Sequence, residues 1–162
     1  MKKLRLSMIK ILVVTFVIAF IPLLSISDIV DTPKGVKMKV ENTVLASNGN
    51  GLTMVTLNVI DQLGNIVTQG THTLTLEIKK LMGSQDYLSF YSSSPVKKTC
   101  TLTTSNGIAA VPLSTTETTV TNMDIVSNKN KGIVSVSSAG SLELPEDIEI
   151  TIVNFSIDVV SP

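Results

Sequence analysis

Two side chains of this 162-residue sequence have the chemistry to act as a nucleophile or a base, and both lie in patterns that predict burial. His72, the only histidine, has the parity of Leu74 and Leu76 in a predicted strand, which favours a packed or rim position over a ligand or base. Cys100 shares a face with Leu102, which predicts a buried, unreactive thiol. The chain has no G-x-S-x-G, P-loop or dinucleotide-binding motif. We therefore predict that it is not an enzyme and has no catalytic residue.

A group of carboxylates near the C-terminal end of the sequence is the remaining candidate for chemistry. It comprises Glu143, Glu146, Asp147 and Glu149. Hard cations in extracellular domains are bound by carboxylates from loops, so a calcium site is one interpretation. The spacing matches no calcium-binding loop, and Pro145 before Glu146 favours a solvated turn that enters a strand. We therefore predict no metal-binding residue, no cofactor-binding residue and no cofactor.

The charge distribution argues against a nucleic-acid partner. The whole chain has no net charge, but four of its basic residues lie within the first ten positions. From residue 28 onward there are nine lysines, no arginine and thirteen acidic residues, a net charge of −4. Tryptophan is absent, and no basic stripe alternates with aromatic residues. We predict no binding to nucleic acid.

The first 27 residues have the pattern of an export signal. A basic segment is followed by an uncharged, apolar run that ends at position 27. The run is short for a membrane span of about 20 residues, Pro22 interrupts it, and Ser25 and Ser27 suit a cleavage site. We predict a signal peptide at residues 1–27 and an extracellular or cell-surface location, with an uncleaved membrane anchor as the alternative. Residues 28–35 are predicted to form an extended linker.

Beyond residue 35 the hydrophobic pattern has a period of two almost throughout, which is typical of half-buried strands. Turn-forming residues separate the runs at intervals of roughly ten residues. This pattern predicts an all-β chain with a single immunoglobulin-like β-sandwich of about seven to nine strands at residues 36–162. The one cysteine excludes an internal disulfide. The predicted strands lie at residues 36–40, 52–60, 66–68, 71–79, 87–91, 96–103, 108–113, 132–138 and 148–160.

Some of these segments carry more specific expectations. Residues 66–68 are short and are expected at a sheet edge. Pro112 cannot donate a backbone hydrogen bond, which marks its strand as an edge or bulged strand. The threonine-rich stretch at residues 114–130 is expected to be a long loop with a strand around residues 123–126. No segment after residue 27 shows the pattern of a helix.

The last predicted strand changes its hydrophobic parity partway along. Alternate isoleucines precede Val153, and the apolar residues after Asn154 have the opposite parity. Residues 148–160 therefore form either one strand with a bulge or two strands with different partners. Asn154 also begins a tripeptide that matches the N-glycosylation sequon, whose use stays open.

Short turn motifs within residues 37–139 carry a resemblance to a known family. The motif residues are Asp61, Gly64 and Asn65 in the pattern D-x-x-G-N, then Val67 and Gly70, and later Thr104, Gly107 and Ala109 in the pattern T-x-x-G-x-A. In these positions the chain resembles the bacterial Ig-like group 1 domain of the invasin and intimin family. The resemblance implies a β-sandwich that serves as a rod or spacer in surface adhesins. The sequence differs from the family in having one copy, no membrane barrel and no lectin-like tip.

Two functions from different classes are consistent with this sequence. In the first, the domain is a scaffolding or adhesion module that recognises a protein or glycan through loops such as residues 81–86 or 114–130. In the second, it is a subunit of an extracellular filament or surface layer assembled by β-strand donation, with residues 148–160 or 28–35 as the donor. The expected partners are a cell-surface protein or glycan, or a second copy joined through edge strands. A membrane is a partner only if residues 1–27 stay uncleaved.

Overall fold

The computed structural model describes residues 32–91 and 94–154, which consist almost entirely of β-strands. Two sheets pack face to face, so the prediction of an all-β chain with a single immunoglobulin-like β-sandwich is confirmed. The elements are β1 (Gly35–Val40), β2 (Val44–Ala46), β3 (Leu52–Ile60), β4 (Thr73–Lys80), β5 (Leu88–Phe90), β6 (Thr99–Thr103), β7 (Ile108–Thr115), α1 (Asn122–Val126), β8 (Lys131–Ser138) and β9 (Ile148–Val153).

The two sheets have four and five strands within the described residues. The four-stranded sheet has the order β1-β3-β7-β5, and its neighbouring strands are antiparallel. The five-stranded sheet has the order β2-β9-β8-β4-β6, in which β2 and β9 are parallel and the other pairs antiparallel. Most pairs therefore join segments that are far apart in sequence, as expected of a Greek-key sandwich.

The alternation read from the sequence decides which side chains form the core. In β3, the odd-numbered residues from Thr53 to Val59 are buried, and their even-numbered neighbours face outward and are partly exposed. The same alternation in β4 and β7 fills the space between the sheets. The largest fully buried side chains are Phe90, Leu57, Leu74, Leu76, Leu88, Leu113, Ile150 and Ile152.

The predicted strand around residues 123–126 is wrong, because this segment is the helix α1. Thr121 caps the helix: its side chain accepts from the Asp124 backbone N–H, and the Asp124 carboxylate accepts from the Thr121 backbone N–H at 2.9 Å. This reciprocal capping box satisfies backbone donors that a single turn of helix otherwise leaves free. None of the helix side chains is buried, so local capping stabilises the helix and burial does not.

Two further expectations about strands are corrected. Residues 66–68 form no strand; Ile66 makes only an isolated bridge to Ile60, and Val67 is buried against the end of β3. β7 is also not an edge strand, since it lies between β3 and β5. Pro112 is tolerated there because its nitrogen faces the position beyond the end of β5, where its carbonyl accepts from the Tyr91 N–H at 2.9 Å.

The strand containing residues 148–153 pairs with β8 on one side and with β2 on the other. It ends at Val153, which is where the sequence changes parity. Residues 155–160, the second half of the predicted segment, lie outside the described residues. The choice between a bulge and two strands therefore stays a prediction, as does the use of the sequon at Asn154.

At the other end of the sequence, β1 begins at Gly35, one residue before the predicted domain boundary. The backbone N–H of Lys34 donates to the Ile60 carbonyl at 2.8 Å, so this residue already joins the sheet. The predicted signal peptide at residues 1–27 lies outside the described residues. In the part of the chain that is described, no helix is long and apolar enough to cross a membrane.

The strand directions place the loops at two opposite ends of the sandwich. We call the end formed by residues 61–72, 104–107 and 139–147 the lower end; the chain enters the first sheet there. The upper end is formed by residues 47–51, 81–87 and 116–130. β9 also finishes at the upper end, so the two termini of the described chain lie at opposite ends of the sandwich.

Candidate functional site

The first family-like motif forms a tight turn at the lower end. Asp61 is buried, and its Oδ1 accepts from the backbone N–H groups of Leu63 at 2.8 Å and Asn65 at 2.9 Å. Gly64 supplies the positive φ of 84° that the turn requires. Burial acts to raise the pKa of the Asp61 carboxyl, but the hydrogen bonds from Asn65, Leu63 and Gly64 outweigh it and lower the pKa. Its Oδ2 also accepts from the Asn65 side-chain amide at 3.1 Å, so both carboxylate oxygens stabilise the turn.

The second motif packs directly against the first. The Gly107 carbonyl accepts from the Val59 N–H at 2.8 Å, and the carbonyl oxygen of Val67 lies only 2.1 Å from where a Cβ of Gly107 would be. Thr104 is joined to His72 by two hydrogen bonds of 2.9 Å, one to the His72 carbonyl and one from the His72 backbone N–H. The residues that carry the resemblance therefore build the lower end of the fold and leave no donor set aimed at a ligand.

His72 lies at the rim of the sandwich and is partly buried. Its Nε2 is buried and has no hydrogen-bond partner among residues 32–91 and 94–154. A general base needs an open path to a substrate proton, and burial of this nitrogen closes that path. His72 therefore has the rim position predicted from the sequence.

Cys100 is a buried free thiol on the inner face of β6. Burial raises the pKa of the Cys100 thiol to about 11, against a small opposing effect of its hydrogen bond with Leu76. A nucleophilic cysteine needs the reverse, a lowered pKa in an accessible setting. The prediction that this side chain is buried is confirmed.

We expect Cys100 to resist a thiol-specific disulfide reagent at pH 8 in the native protein. With a pKa of about 11, only about a thousandth of the thiol is ionised at pH 8, and burial restricts access further. Labelling should be about 100-fold slower or more than in denaturant. In a matched control, Cys100→Ser combined with Thr101→Cys places the thiol on the exposed face of the same strand and should label rapidly. Equally fast labelling of both native proteins contradicts the burial argument.

The acidic group predicted as a possible cation site is divided among lysines. Glu143 pairs with Lys34 at 3.2 Å, Asp147 with Lys79 at 3.3 Å, and Glu149 with Lys131 at 2.7 Å. Lys34 precedes β1, Lys79 lies on β4 and Lys131 on β8, so the three carboxylates pair at separate positions. Within the described ranges, no three His, Cys, Asp or Glu side chains converge in a way that could hold a metal ion.

An open cleft of about 590 Å³ lies at the lower end beside the first motif. Its charged lining groups are Asp61, whose carboxylate accepts three hydrogen bonds within its own turn, and the Lys34–Glu143 ion pair. The charges that line the cleft are therefore already hydrogen-bonded or paired.

At the upper end, the two loops predicted from the sequence as binding loops lie against each other. Thr116 is buried and joins them: its N–H donates to the Tyr87 carbonyl at 2.8 Å, and its hydroxyl donates to the Asp86 carbonyl at 2.6 Å. The Thr116 carbonyl accepts from the Gly49 N–H at 2.7 Å, which binds the 47–51 turn to the same residue. Three separate segments therefore form one supported end.

A second contact joins residues 81–87 to α1. Burial raises the pKa of Tyr87 to about 12, with a further contribution from the nearby Asp124 carboxylate. The Asp124 carboxylate is close enough to disfavour ionisation of the Tyr87 hydroxyl, although the hydroxyl makes no hydrogen bond of ordinary geometry within the described chain. The Lys129 side chain also lies 3.2 Å from the Cβ position of Gly83. The helix is thus held beside the loop.

The upper end exposes apolar side chains that have no packing role. Met82 is fully exposed, Met123 is 76% exposed and Val126 is 84% exposed. The sequence identified both loops but missed the helix that displays Met123 and Val126. The pattern Thr121-x-x-Asp124 is the signal that could have found it, because it spells a capping box.

Comparisons with known proteins bear on the fold. No protein-family model matches the sequence, and no curated protein matches it. Among solved structures, a glycosyl hydrolase family 2 member from Bacteroides cellulosilyticus is similar over 77% of this chain and 15% of its own, with 14% identity and a TM-score of 0.53. A beta-glycosidase from Bacteroides vulgatus matches over 75% and 14%, with 13% identity and a TM-score of 0.53.

A beta-glucuronidase from glycoside hydrolase family 2 gives a TM-score of 0.55 at 11% identity, over 80% of this chain and 12% of its own. The present chain thus spans about one seventh of these enzymes, and the match is to a β-sandwich domain in each. At such low identity the likeness concerns architecture alone. The chain is similar in fold to a sandwich domain of family 2 glycosyl hydrolases.

Proposed function

We propose that this chain is an exported, non-catalytic Ig-like module that binds a protein partner through its upper end, in a scaffolding or adhesion role. The observation that carries the proposal is the exposure of Met82, Met123 and Val126 on two loops that are fixed to each other. Flexible methionine side chains suit apolar protein surfaces, and exposed apolar groups on a supported end are typical of interaction sites.

The placement of the termini supports the same proposal. The described chain enters at the lower end, and β3 alone, with its nine residues, spans about 30 Å along the sandwich. Any attachment through residues preceding Thr32 would hold the lower end near the attachment point and present the upper end outward. Such a spacer geometry agrees with the role that the resemblance to the invasin and intimin family implies.

The proposal of a non-catalytic role is supported by the groups that could do chemistry. The thiol of Cys100 is buried with a raised pKa, the imidazole Nε2 of His72 is buried, and three of the four clustered carboxylates pair with lysines. Burial and ion pairing favour structural positions over catalytic ones for these groups.

The proposal is tested by replacing the three exposed apolar residues of the upper end with serine, in the variant Met82→Ser, Met123→Ser and Val126→Ser. The immobilised protein is incubated with envelope and medium proteins from the expressing cell, and captured proteins are quantified by mass spectrometry. We expect the variant to lose capture of the specific partner about tenfold or more, because each side chain contributes roughly 1–2 kcal/mol when buried in an interface.

The matched control changes exposed apolar residues at the opposite end, in the variant Leu63→Ser and Leu144→Ser. It carries the same type of substitution and should capture the partner as well as the unaltered chain. Equal capture by the upper-end variant, or selective loss in the lower-end variant, would overturn the proposal.

A further inference from the structure

The outer edge of the five-stranded sheet is β6, whose outward backbone groups have no hydrogen-bond partner in the part of the chain that the structure describes. β6 bonds to β4 through its even-numbered residues, as shown by the flanking bonds from Ile78 N–H to the Lys98 carbonyl at 2.8 Å and from Thr104 N–H to the His72 carbonyl at 2.9 Å. The odd-numbered backbone groups therefore face away from β4. Across residues 32–91 and 94–154, nothing hydrogen-bonds to the backbone of Thr99, Thr101 or Thr103.

The neighbouring edge on the same side of the sandwich is closed. β5 is the last strand of the four-stranded sheet, and the chain that follows it folds back over its edge. The Phe90 N–H donates to the Lys97 carbonyl at 2.9 Å, and the Leu88 carbonyl accepts from Lys98 Nζ at 2.8 Å. These bonds occupy the groups that an added strand would need.

The edges on the other side are guarded in different ways. The Val36 N–H of β1 donates to the Glu143 carbonyl at 2.9 Å, and exposed lysines at positions 37 and 39 line the rest of that strand. β2 has only three residues. Covering loops, edge lysines and short strands are the usual means of preventing edge pairing.

Within residues 32–91 and 94–154, β6 has none of these protections. Its sequence, Thr-Cys-Thr-Leu-Thr, contains no lysine and no proline, and its register with β4 is regular over all five residues. Leu102 packs against the core but stays only partly buried, unlike Leu74 opposite to it. The edge therefore offers both free backbone groups and an incompletely covered apolar side chain.

We infer that β6 accepts residues 155–160 of a second copy of this chain as an added antiparallel strand. Their sequence, Phe-Ser-Ile-Asp-Val-Val, alternates apolar and polar residues through Asp158, and the structure ends its own strand just before them, at Val153. In the matching register, Ile157 lies opposite Leu102 and Val159 opposite Cys100 on the inner face. Ser156 and Asp158 then lie beside the outward threonines, where polar side chains belong.

The donor belongs to another copy because the chain's own β6 is too far away. β8 and β4 separate β9 from β6, so three strand spacings of about 4.8 Å lie between them. Crossing that distance over the upper end uses about four residues beyond Val153, so most of residues 155–160 would be spent on the crossing instead of pairing along β6. Residues 148–153 are themselves committed to β9, which removes most of the longer donor segment expected from the sequence.

Donor and acceptor are different surfaces, so the contact is heterologous and extends into chains or rings of copies. The inference is independent of the proposed binding at the upper end, since neither Met82 nor α1 takes part. It predicts assembly of the protein alone, without any other partner.

The test uses Thr101→Pro in the full chain. The Thr101 N–H faces the free edge, so proline removes no bond to β4 but denies the incoming strand its central donor and crowds its path. We expect the average mass of the unaltered chain to at least double across a concentration series in light scattering. Thr101→Pro should weaken this association about tenfold or more with an unchanged circular dichroism spectrum. Thr101→Val keeps the N–H and should assemble normally.

A second measurement decides the matter if the proline variant fails to fold. A synthetic peptide of residues 154–162 should slow hydrogen exchange at the amides of Thr99, Thr101 and Thr103, whereas the same peptide with Ile157→Asp should not. A concentration-independent monomer whose β6 amides are unaffected by the peptide overturns the inference. Folded Thr101→Pro that assembles like the unaltered chain also overturns it. Failure here leaves capture through the upper end unaffected, so the two proposals are separable.

Discussion

Replacing Leu57 with alanine should lower the free energy of unfolding by about 3–5 kcal/mol. Leu57 is fully buried on the inner face of β3, between Met38 on β1 and Ala109 on β7. The alanine on one side is already small and cannot expand into the space, so most of the deleted volume remains as a cavity. Loss of contacts around that cavity adds to the loss of buried apolar surface.

The matched control is Leu52→Ala, which makes the same change in the same strand. Leu52 is 65% exposed, and its removal should change stability by about 0.5 kcal/mol or less. Denaturant unfolding measures both, with the midpoint shifting for Leu57→Ala while the slope stays constant. Similar losses for the two variants would mean that the parity of β3 has been assigned to the wrong face.

Replacing Gly107 with alanine should destabilise the domain by roughly 3–4 kcal/mol. Its φ of +75° disfavours any residue with a Cβ, and the added atom would lie 2.1 Å from the backbone carbonyl oxygen of Val67. A backbone atom cannot turn aside as a flexible side chain can. The hairpin between β6 and β7 must therefore move away from Val67, which weakens the bond from Val59 N–H to the Gly107 carbonyl.

Gly64→Ala separates the two causes. Gly64 has a similar φ of +84°, but beyond its two chain neighbours no atom lies within 4 Å of where its Cβ would be. Its replacement should cost only the backbone strain, about 1 kcal/mol. The difference between the variants, measured by thermal and denaturant unfolding, reports the packing of one family-like motif against the other. Equal losses would show that the two motifs do not depend on each other.

The turn motifs that carry the resemblance and the groups proposed for recognition lie in different parts of the molecule. Asp61, Val67, Thr104 and Gly107 fix the lower end through turns and close backbone contacts. Such contacts stabilise a fold and say little about a ligand. The groups available for recognition, at the upper end and along β6, lie outside the motifs that gave the resemblance.

Several features of the fold could be predicted from sequence because they follow from local geometry. Side chains alternate across a strand, so the spacing of apolar residues in β3, β4 and β7 indicates their buried faces directly. The burial of Cys100 follows from the same alternation. The turn at Asp61 could also be predicted from the sequence, because its hydrogen bonds join residues within four positions of each other.

The same reasoning failed where a local signal was overlooked or where a nonlocal contact decided the outcome. The capping box at Thr121 is a local signal for a helix, and without it residues 123–126 were expected to form a strand. Pro112 favoured an edge strand because proline has no N–H to donate to a neighbouring strand. The neighbouring strand β5 ends at Phe90, before the position opposite Pro112, so the ladder needs no hydrogen bond from this residue. Ile66 bridges Ile60 without continuing because Val67 is drawn into the core.

The strand periodicity, the inward-facing residues and the turns follow from the amino-acid sequence, because they depend on backbone sterics and on neighbours a few residues away. Only tertiary contacts make β9 run parallel to β2, bring the two predicted loops together at the upper end, and put β6 last in the five-stranded sheet of the described residues. Each of these depends on which distant strands pair. A period of two is the same whichever partner a strand finds, so it does not encode that choice.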